Sequence, residues 1–386
     1  MSDSANGGGA HLVTGATGFV GAALVLELLD QTSAEVFCLV RPKHDPERAR
    51  ARLSDSLERA FLLYDRADLV PAIAERCVAV PFDLREDGDR ARSLLPSGIG
   101  EVWHSAASLR FKQEQRDKII EQNVDGTRRM LDLTTAIGAS TFNYVSTAYV
   151  AGKRGGLVLE EPARDPSVSH NAYEESKVRA EMLVDEWSEV RTRIMRPSIV
   201  VGHSGTFAAI SNTGLYGFIL GIQRARMEVE KLKLGALLAH RQVRLKGDGA
   251  APINLIPVDV VARNAVAISR SASDAEVFHL TNATPPTAGE VGRVVFASLG
   301  MAAPRWVENE DEFTLIDEKL DEQPRTDFFR TYLSSDRVFD LTNTNDALGE
   351  SASAVSFEDG ALAPYVDWYL GMVKQVRDDH QARLHA

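Results

Sequence analysis

Along the chain, short uninterrupted apolar runs alternate with longer stretches in which apolar residues recur every three or four positions. His11-Leu12-Val13 leads into a glycine-bearing turn, and Ala22 to Leu29 then reads as a helix. Val36-Phe37-Cys38-Leu39-Val40 is apolar throughout, the pattern of a parallel strand covered on both faces. Further strands are predicted at Val78 to Val80, Glu101-Val102-Trp103, Phe142 to Val145 and Arg193-Ile194-Met195. Between them lie helical stretches, notably Ile119 to Ala136 and Tyr173 to Trp187. Strands alternating with helices in this way predict an α/β fold, a Rossmann-type doubly wound parallel sheet.

After Gly205 the pattern loosens. A helix is predicted near Leu215 to Arg226, another opens at Val258-Asp259-Val260, and Val277 to Leu280 reads as a strand. The tail from Pro304 is charged, and Pro364 to Val376 reads as a closing helix with proline in its first turn, where a missing N–H costs nothing. The expected organisation is a flexible N-terminus over 1–10 and a Rossmann domain over 11–205, completed by about 250–282. A smaller, mostly helical C-terminal lobe for substrate is expected over 206–249 and 283–386.

Composition narrows the function. A chain of 386 residues that is 44% hydrophobic and 25% charged can bury a sizeable core. Its net charge of −12 argues against a nucleic-acid partner, because phosphate-backbone binding runs on clustered Lys and Arg. Cys38 and Cys77 sit in apolar runs and read as buried thiols of a reducing compartment, not as a disulfide or a metal site. No metal site is predicted. Residues 1–10 lack the basic-then-apolar order of a signal peptide, and the apolar stretch Leu215 to Ile222 is too short to span a bilayer. A cytoplasmic protein with no membrane partner is expected.

The candidate chemistry lies at the ends of the predicted strands. Gly15-Ala16-Thr17-Gly18-Phe19-Val20-Gly21 joins the first strand to the first helix, where glycine lets backbone approach a pyrophosphate and the helix N-terminus offers N–H groups. Gly15, Thr17, Gly18, Phe19, Val20 and Gly21 are the predicted contacts. Arg41 ends the second strand, where an acid would hold an adenosine ribose; a guanidinium there suits a 2′-phosphate, so NADPH is the predicted cofactor. Arg48, Arg50 and Arg52 follow. At least two of them read as a solvated basic helix face, and Arg52 is carried as the second contact. Asp83-Leu84 and Ala106-Ala107-Ser108 end the third and fourth strands, the first placed for the adenine amino group and the second small enough to admit the cofactor.

Tyr173 and Lys177 are spaced i, i+4 and share a helix face, where an ammonium lowers the pKa of a neighbouring phenol. Ser146-Thr147 follows the strand Phe142 to Val145, and a hydroxyl there can hold a substrate oxygen while Tyr173 protonates it. Asn123 is the fourth candidate, read equally as a catalytic amide or as one that packs helices.

Taken in order, TGATGFVG (from Thr14), Asp83-Leu84, HSAAS (from His104), NVDGT (from Asn123), STAYV (from Ser146) and the Tyr173–Lys177 pair resemble the extended short-chain dehydrogenase/reductase family over roughly Leu12 to Val201. Within it the chain resembles the thioester-reductase and fatty acyl-CoA reductase branch, with male-sterility-type NAD-binding domains. The features behind this are Cys38-Leu39-Val40-Arg41, the helical insert Arg48 to Glu75, Ser146-Thr147, Asn254 to Asp259 and Phe339 to Asn343. The resemblance implies that Thr147, Tyr173 and Lys177 are the catalytic triad and that Ser146 lies against the nicotinamide. It also implies that Pro197, Ser198, Ile199 and Val200 meet the carboxamide end. The implied reaction is NADPH-dependent reductive release of an acyl thioester, on a carrier protein or CoA, to an aldehyde and in some cases the alcohol. Relatives of this branch are often the last domain of a synthetase. These 386 residues include no carrier or activating domain, so the acyl donor is expected to arrive from elsewhere.

Three rival readings remain: a simple ketone or aldehyde reductase, a sugar-nucleotide epimerase or dehydratase on the same fold, and a non-enzymatic NADPH-sensing binder. Arg41 and the long separation from it to Asp83 count against the epimerase. A covalent acyl-cysteine route is disfavoured, because both cysteines fall in predicted buried strands. From Leu220 to Asp248 seven cations face three acids, which reads either as a solvated surface balanced by neighbours or as a docking face for the acyl donor. Oligomeric state is left open.

Overall fold

The computed structural model describes residues 9–42, 45–85, 88–110, 113–321, 335–358 and 360–385. Seven strands build one sheet: β1 (Ala10–Thr14), β2 (Val36–Val40), β3 (Cys77–Pro81), β4 (Ile99–His104), β5 (Thr141–Val145), β6 (Arg191–Pro197) and β7 (Val277–Leu280). Their spatial order is β7-β6-β5-β4-β1-β2-β3, and every pairing is parallel. The chain first winds outward from β1 through β2 to β3, then crosses back to β4 on the other side of β1. The crevice at the strands' carboxyl ends beside β1 and β4 is therefore the topological switch point where such sheets bind ligands. β2 and β5 are buried along their whole length, which explains the unbroken apolar sequence of β2; β5 carries buried Thr141 and Asn143 among its apolar residues.

The crossovers are helical: α1 (Phe19–Gln31), α2 (Pro46–Leu63), α3 (Val70–Arg76), α4 (Gly88–Leu94), α5 (Arg116–Ile120), α6 (Gly126–Ala136), α7 (Ala172–Asp185) and α8 (Val258–Arg270). α2 starts where Asp45 accepts from Glu47 N at 3.0 Å and Pro46 takes the first helical position. α1 packs on α8 and α6 on α7, so the sheet is flanked by helices.

Three expectations are corrected. The helix predicted over Ile119 to Ala136 is interrupted by a π turn, Glu121–Asp125, between α5 and α6. Such a turn inserts a residue without disturbing the apolar spacing enough to be read from it. Cys77 is only partly buried, although Cys38 is fully buried. The reason is that β3 is an edge strand with β2 as its one partner, and the next residue, Val78, is 38% exposed. The N-terminal tail expected over 1–10 lies outside the described residues as far as residue 8, and Ala10 already belongs to β1.

The chain forms two compact units. The first comprises residues up to Ser198, Ile256–Thr281 and Phe339–Ser353; the second comprises Ile199–Leu255, Asn282–Val338 and Ala354–Ala386. Phe339–Ser353 thus lies in the first unit, whereas the sequence placed it in the C-terminal lobe. It is held there by Glu160, whose buried carboxylate accepts from the backbone N–H groups of His279, Asn343 and Thr344 and from the Thr344 hydroxyl.

The second unit is mostly helical, with helices over Leu215–Lys231, Ala288–Ser298 and Ala363–His385. Its core includes the Tyr216 and Tyr369 rings, 4.4 Å between centroids. Four of the seven cations between Leu220 and Asp248 have acidic partners in this unit. Arg226 meets Glu230, Lys231 meets Glu228, Arg244 meets Asp317 and Glu312, and Lys246 meets Glu310. Those four are balanced by neighbours. Among the described residues no helix is long and apolar enough to cross a membrane.

Candidate active site

The turn after β1 requires its glycines. Gly15 has φ +79°, and a Cβ on it would lie 2.7 Å from the Ala106 nitrogen, so the turn passes directly over the loop leaving β4. A Cβ on Gly21 would lie 2.1 Å from the Gly15 carbonyl oxygen, and Gly18 N donates to that oxygen at 2.8 Å. A side chain at either position would push α1 away from the strand end. Gly18 caps α1 without a side-chain hydrogen bond, leaving the first-turn N–H groups of Phe19 and Val20 to face an anion. Thr17 lies within the turn and is half-buried.

At the end of β2, Arg41 is exposed and its carbonyl accepts from Arg52 Nη1 at 2.8 Å. Arg48 and Arg50 are matched along α2 with Asp45 and Glu47. Asp83, after β3, is bound through both carboxylate oxygens by Arg85, at 3.1 and 2.7 Å. That bond holds its carboxyl below the usual range, with the charge of Arg41 adding a smaller effect. The carbonyl of Leu84 accepts from Arg129 Nη1 at 3.3 Å. Ala106 N donates to Thr14 Oγ1 at 3.2 Å, and Ala107 leads on to Ser108.

Asn123 is buried in the π turn with its amide fully committed. Oδ1 accepts from Ser108 N at 2.7 Å, while Nδ2 donates to Ser108 O at 3.2 Å and Ser176 Oγ at 2.8 Å. It ties the loop after β4 to α7.

α7 begins at the Asn171 cap, which accepts from Glu174 N at 3.0 Å. Half-buried Tyr173 lies in its first turn and buried Lys177 one turn later. Lys177 Nζ donates to Val145 O at 2.8 Å and to the Tyr144 hydroxyl at 3.2 Å, and sits 4.6 Å from the centre of the Tyr144 ring. Val145 is the last residue of β5, immediately before Ser146-Thr147, so this bond fixes α7 against the serine–threonine strand end. Thr147 Oγ1 accepts from Tyr149 N at 3.3 Å and reaches the Pro197 carbonyl at 3.5 Å. Ser198 follows, its N–H on Leu280 O at 3.3 Å, whereas Ile199 and Val200 belong to the second unit.

The electrostatics correct one expectation. Tyr173's phenol is held above its ordinary pKa, not below it, by burial first and then by the charge of Glu174. Lys177 itself is pushed down to about 7 by burial, against the opposing pull of Glu181. Tyr144 was missed by the sequence reading. The signal for it is the strand period, which puts residues 144 and 146 on one face.

Two observations match a nicotinamide dinucleotide. One is the glycine turn that no side chain can fill. The other is Ser146 Oγ, buried at 4% residue exposure with no hydrogen-bond partner among the described residues, at the strand end where a carboxamide or ribose would lie. The profile of a known family, described as male sterility protein, matches residues 13–265, from β1 into α8. The chain belongs to that family.

Membership of the male sterility protein family makes this an NAD-binding domain for a nicotinamide cofactor, on a sheet of extended short-chain dehydrogenase type. A linear gramicidin synthase of Brevibacillus parabrevis is 28% identical over 285 residues, 71% of this chain and 5% of that protein. Fatty acyl-CoA reductase 1 of Xenopus laevis is 30% identical over 227 residues, 49% of this chain and 42% of that protein. The chain therefore spans less than half the length of either. A crystal structure of the terminal R domain from the myxalamid PKS-NRPS biosynthetic pathway aligns with a TM-score of 0.71 and 26% identity, covering 95% of this chain and 91% of that one.

Proposed function

We propose that this chain is an oxidoreductase that uses NADPH to release acyl thioesters, borne on a carrier protein or CoA, as aldehydes. The observation that carries the reading is the Lys177 Nζ–Val145 O bond, which brings the Tyr173–Lys177 helix to the Ser146-Thr147 strand end. Similarity to a terminal R domain and to a fatty acyl-CoA reductase supports the thioester substrate over a ketone. The glycine turn, Ser146, Pro197 and Ser198 would hold the cofactor, with Arg41 receiving its 2′-phosphate and the Arg52 bond fixing the Arg41 backbone. Bound there, NADPH would supply a hydride to the thioester carbonyl carbon.

The residues' own part follows from their states. Tyr173 keeps its proton at physiological pH because burial raises its pKa, so it meets the substrate as the acid that reduction requires. Thr147 and Tyr173 hydroxyls converge on the carbonyl oxygen, where negative charge develops, and Tyr173 gives up its proton. Lys177 presents positive charge behind the phenol and stabilises the phenolate left there. Breakdown of the hemithioacetal then expels the thiol and frees the aldehyde. Asn123 acts by position, holding the β4 loop on α7. A cysteine nucleophile is not part of this scheme: Cys38 is buried within β2, and Cys77 sits at the amino end of β3, away from the carboxyl ends that carry the site.

The experiment is NADPH oxidation with acyl-CoA and acyl-carrier thioesters of several chain lengths, beside ketones and aldehydes, with products identified by mass. Aldehyde and free thiol from a thioester support the reading. Turnover of ketones alone refutes the substrate class.

A further inference from the structure

Two opposite charges leave the sheet side by side where β2 and β3 end. Val40 pairs with Pro81 across the two strands, and Phe82 N donates to Val40 O at 3.1 Å. Arg41 follows Val40 and Asp83 follows Phe82, so the ladder delivers a guanidinium and a carboxylate to one stretch of the carboxyl edge. Opposite charges placed so close attract, and an Arg41–Asp83 ion pair is the outcome that the strand register alone favours. The structure shows a different pairing. Arg85 Nε donates to Asp83 Oδ1 at 3.1 Å and Nη2 donates to Oδ2 at 2.7 Å. The Arg85 backbone N–H adds a third bond, to Oδ1 at 3.1 Å. Arg41 forms no ion pair among the described residues, and its side chain is exposed.

Local geometry explains why Arg85 prevails. It stands two residues from Asp83, and its own N–H presets the carboxylate to which its side chain returns, so a planar fork meets both oxygens with little chain to order. The turn that presents the two residues is anchored from below, where Arg129 Nη1 of α6 donates to Leu84 O at 3.3 Å. Arg41, for its part, has its backbone held by Arg52. It still lies close enough to compete: the Asp83 carboxyl is held below its usual range first by the Arg85 bond, with the charge of Arg41 as a smaller cause.

The geometry points to Arg85 as a specificity-determining residue of the cofactor site: by occupying the Asp83 carboxylate it leaves the Arg41 guanidinium open to a phosphate on the adenosine ribose. This deepens the proposed function, on which it rests for the 2′-phosphate. Released from Arg85, Asp83 would oppose that phosphate twice. It would pair with Arg41, and its negative charge would stand beside the incoming anion. An acid at the end of the second strand excludes a 2′-phosphate from a dinucleotide site. Here the acid enters from the neighbouring strand, and Arg85 cancels it. NADH carries no phosphate at that position, so its affinity does not depend on the contest.

Two measurements on one set of variants test this, the first without cofactor. In the full chain labelled with 15N-arginine, the Arg41 Nε–H signal is assigned by its loss in Arg41→Lys. In Arg85→Gln that signal should shift and exchange with water more slowly, as Asp83 closes on Arg41. Adding Asp83→Asn should return it to its wild-type position. The second measurement is the ratio of NADH to NADPH dissociation constants. It should fall about fivefold in Arg85→Gln, the scale of one exposed ion pair, through weaker NADPH binding, with NADH within about twofold. Arg85→Lys, which keeps the charge without the fork, should lose less. The Arg85→Gln/Asp83→Asn double variant should match Asp83→Asn alone within about twofold, since Arg85 acts only through Asp83. General damage to the fold would weaken both cofactors alike and leave the ratio in place. An Arg41 signal unmoved by Arg85→Gln overturns the proposal. So does a fall in the ratio that persists with Asp83→Asn added, because Arg85 would then meet the phosphate itself. If the wild type binds NADH as tightly as NADPH yet the Arg41 signal moves as described, the cofactor reading fails and the shielding of Arg41 by Arg85 stands.

Discussion

Arg52 donates from Nη1 to the backbone carbonyl of Arg41 at 2.8 Å. A residue of α2 thus fixes the strand end that carries Arg41, while the Arg41 side chain stays exposed. The helix clamps the backbone and leaves the guanidinium for a ligand. Arg41→Asp should therefore weaken NADPH binding about thirtyfold, on the order of 2 kcal/mol for a lost bidentate phosphate contact, and leave NADH affinity unchanged or improved. Dissociation constants for both cofactors, measured by fluorescence titration, check this. Equal losses would assign Arg41 a structural task.

Tyr173→Phe removes the transferable proton and little else, so turnover should vanish while NADPH affinity stays within about twofold, as uniform binding is retained. Lys177→Ala should damage both, since the ammonium serves the phenolate and the cofactor face alike. Single-turnover kinetics beside equilibrium binding separate the two outcomes. Cys38→Ser and Cys77→Ser should keep turnover; a folded but inactive cysteine variant would bring back the acyl-cysteine route.

Much of this was legible in the sequence, for identifiable reasons. β2 was readable because both of its faces are covered, which demands an unbroken apolar run, Val36 to Val40. The glycine turn was readable because Gly15 and Gly21 sit where any Cβ would strike backbone. The π turn was not, since one added residue leaves the apolar spacing of α5 and α6 nearly intact. The partial exposure of Cys77 depends on β3 having a single neighbour, which no local pattern records. Tyr144 looked like an ordinary member of its strand, because its bond to Lys177 joins residues far apart in sequence. The pairing of Phe339–Ser353 with Glu160 is hidden for the same reason.

That pairing has a measurable consequence. Glu160→Ala strands the N–H groups of His279, Asn343 and Thr344 in the interior and should cost about 3 kcal/mol of stability, as expected when several buried donors lose their acceptor. Chemical denaturation with urea tests it. A loss below about 0.5 kcal/mol, the range of an ordinary surface change, would mean that the segment is held elsewhere.

His11, His104 and His279 are buried with pKa values pushed down to about 4, 3 and 3, burial being the first cause in each. A depressed folded-state pKa means that the unfolded chain binds the extra proton, so their contribution is complete above about pH 6.5 and is lost as the pH falls toward 3. His279 makes the sign concrete: its Nε2 faces Arg196 Nη1 at 3.3 Å and its Nδ1 meets the Asp340 carbonyl at 2.7 Å, so a second proton would confront a guanidinium. His279→Gln can keep both bonds without titrating and should flatten the fall of unfolding free energy below pH 6.5 by up to about 1.4 kcal/mol per pH unit, one proton's worth. Parallel curves for variant and wild type would contradict the assignment.

The most direct test of the central claim follows the hydride. The chain is given NADPH carrying deuterium at nicotinamide C4, in each stereochemical form, with an acyl thioester, and the released product is analysed by mass. One of the two forms should deliver a single deuterium to C1 of an aldehyde, with one equivalent of thiol set free and both lost in Tyr173→Phe. Aldehyde unlabelled from both forms, or NADPH left unconsumed with every acyl-CoA and acyl-carrier thioester while a ketone is reduced, would contradict the account.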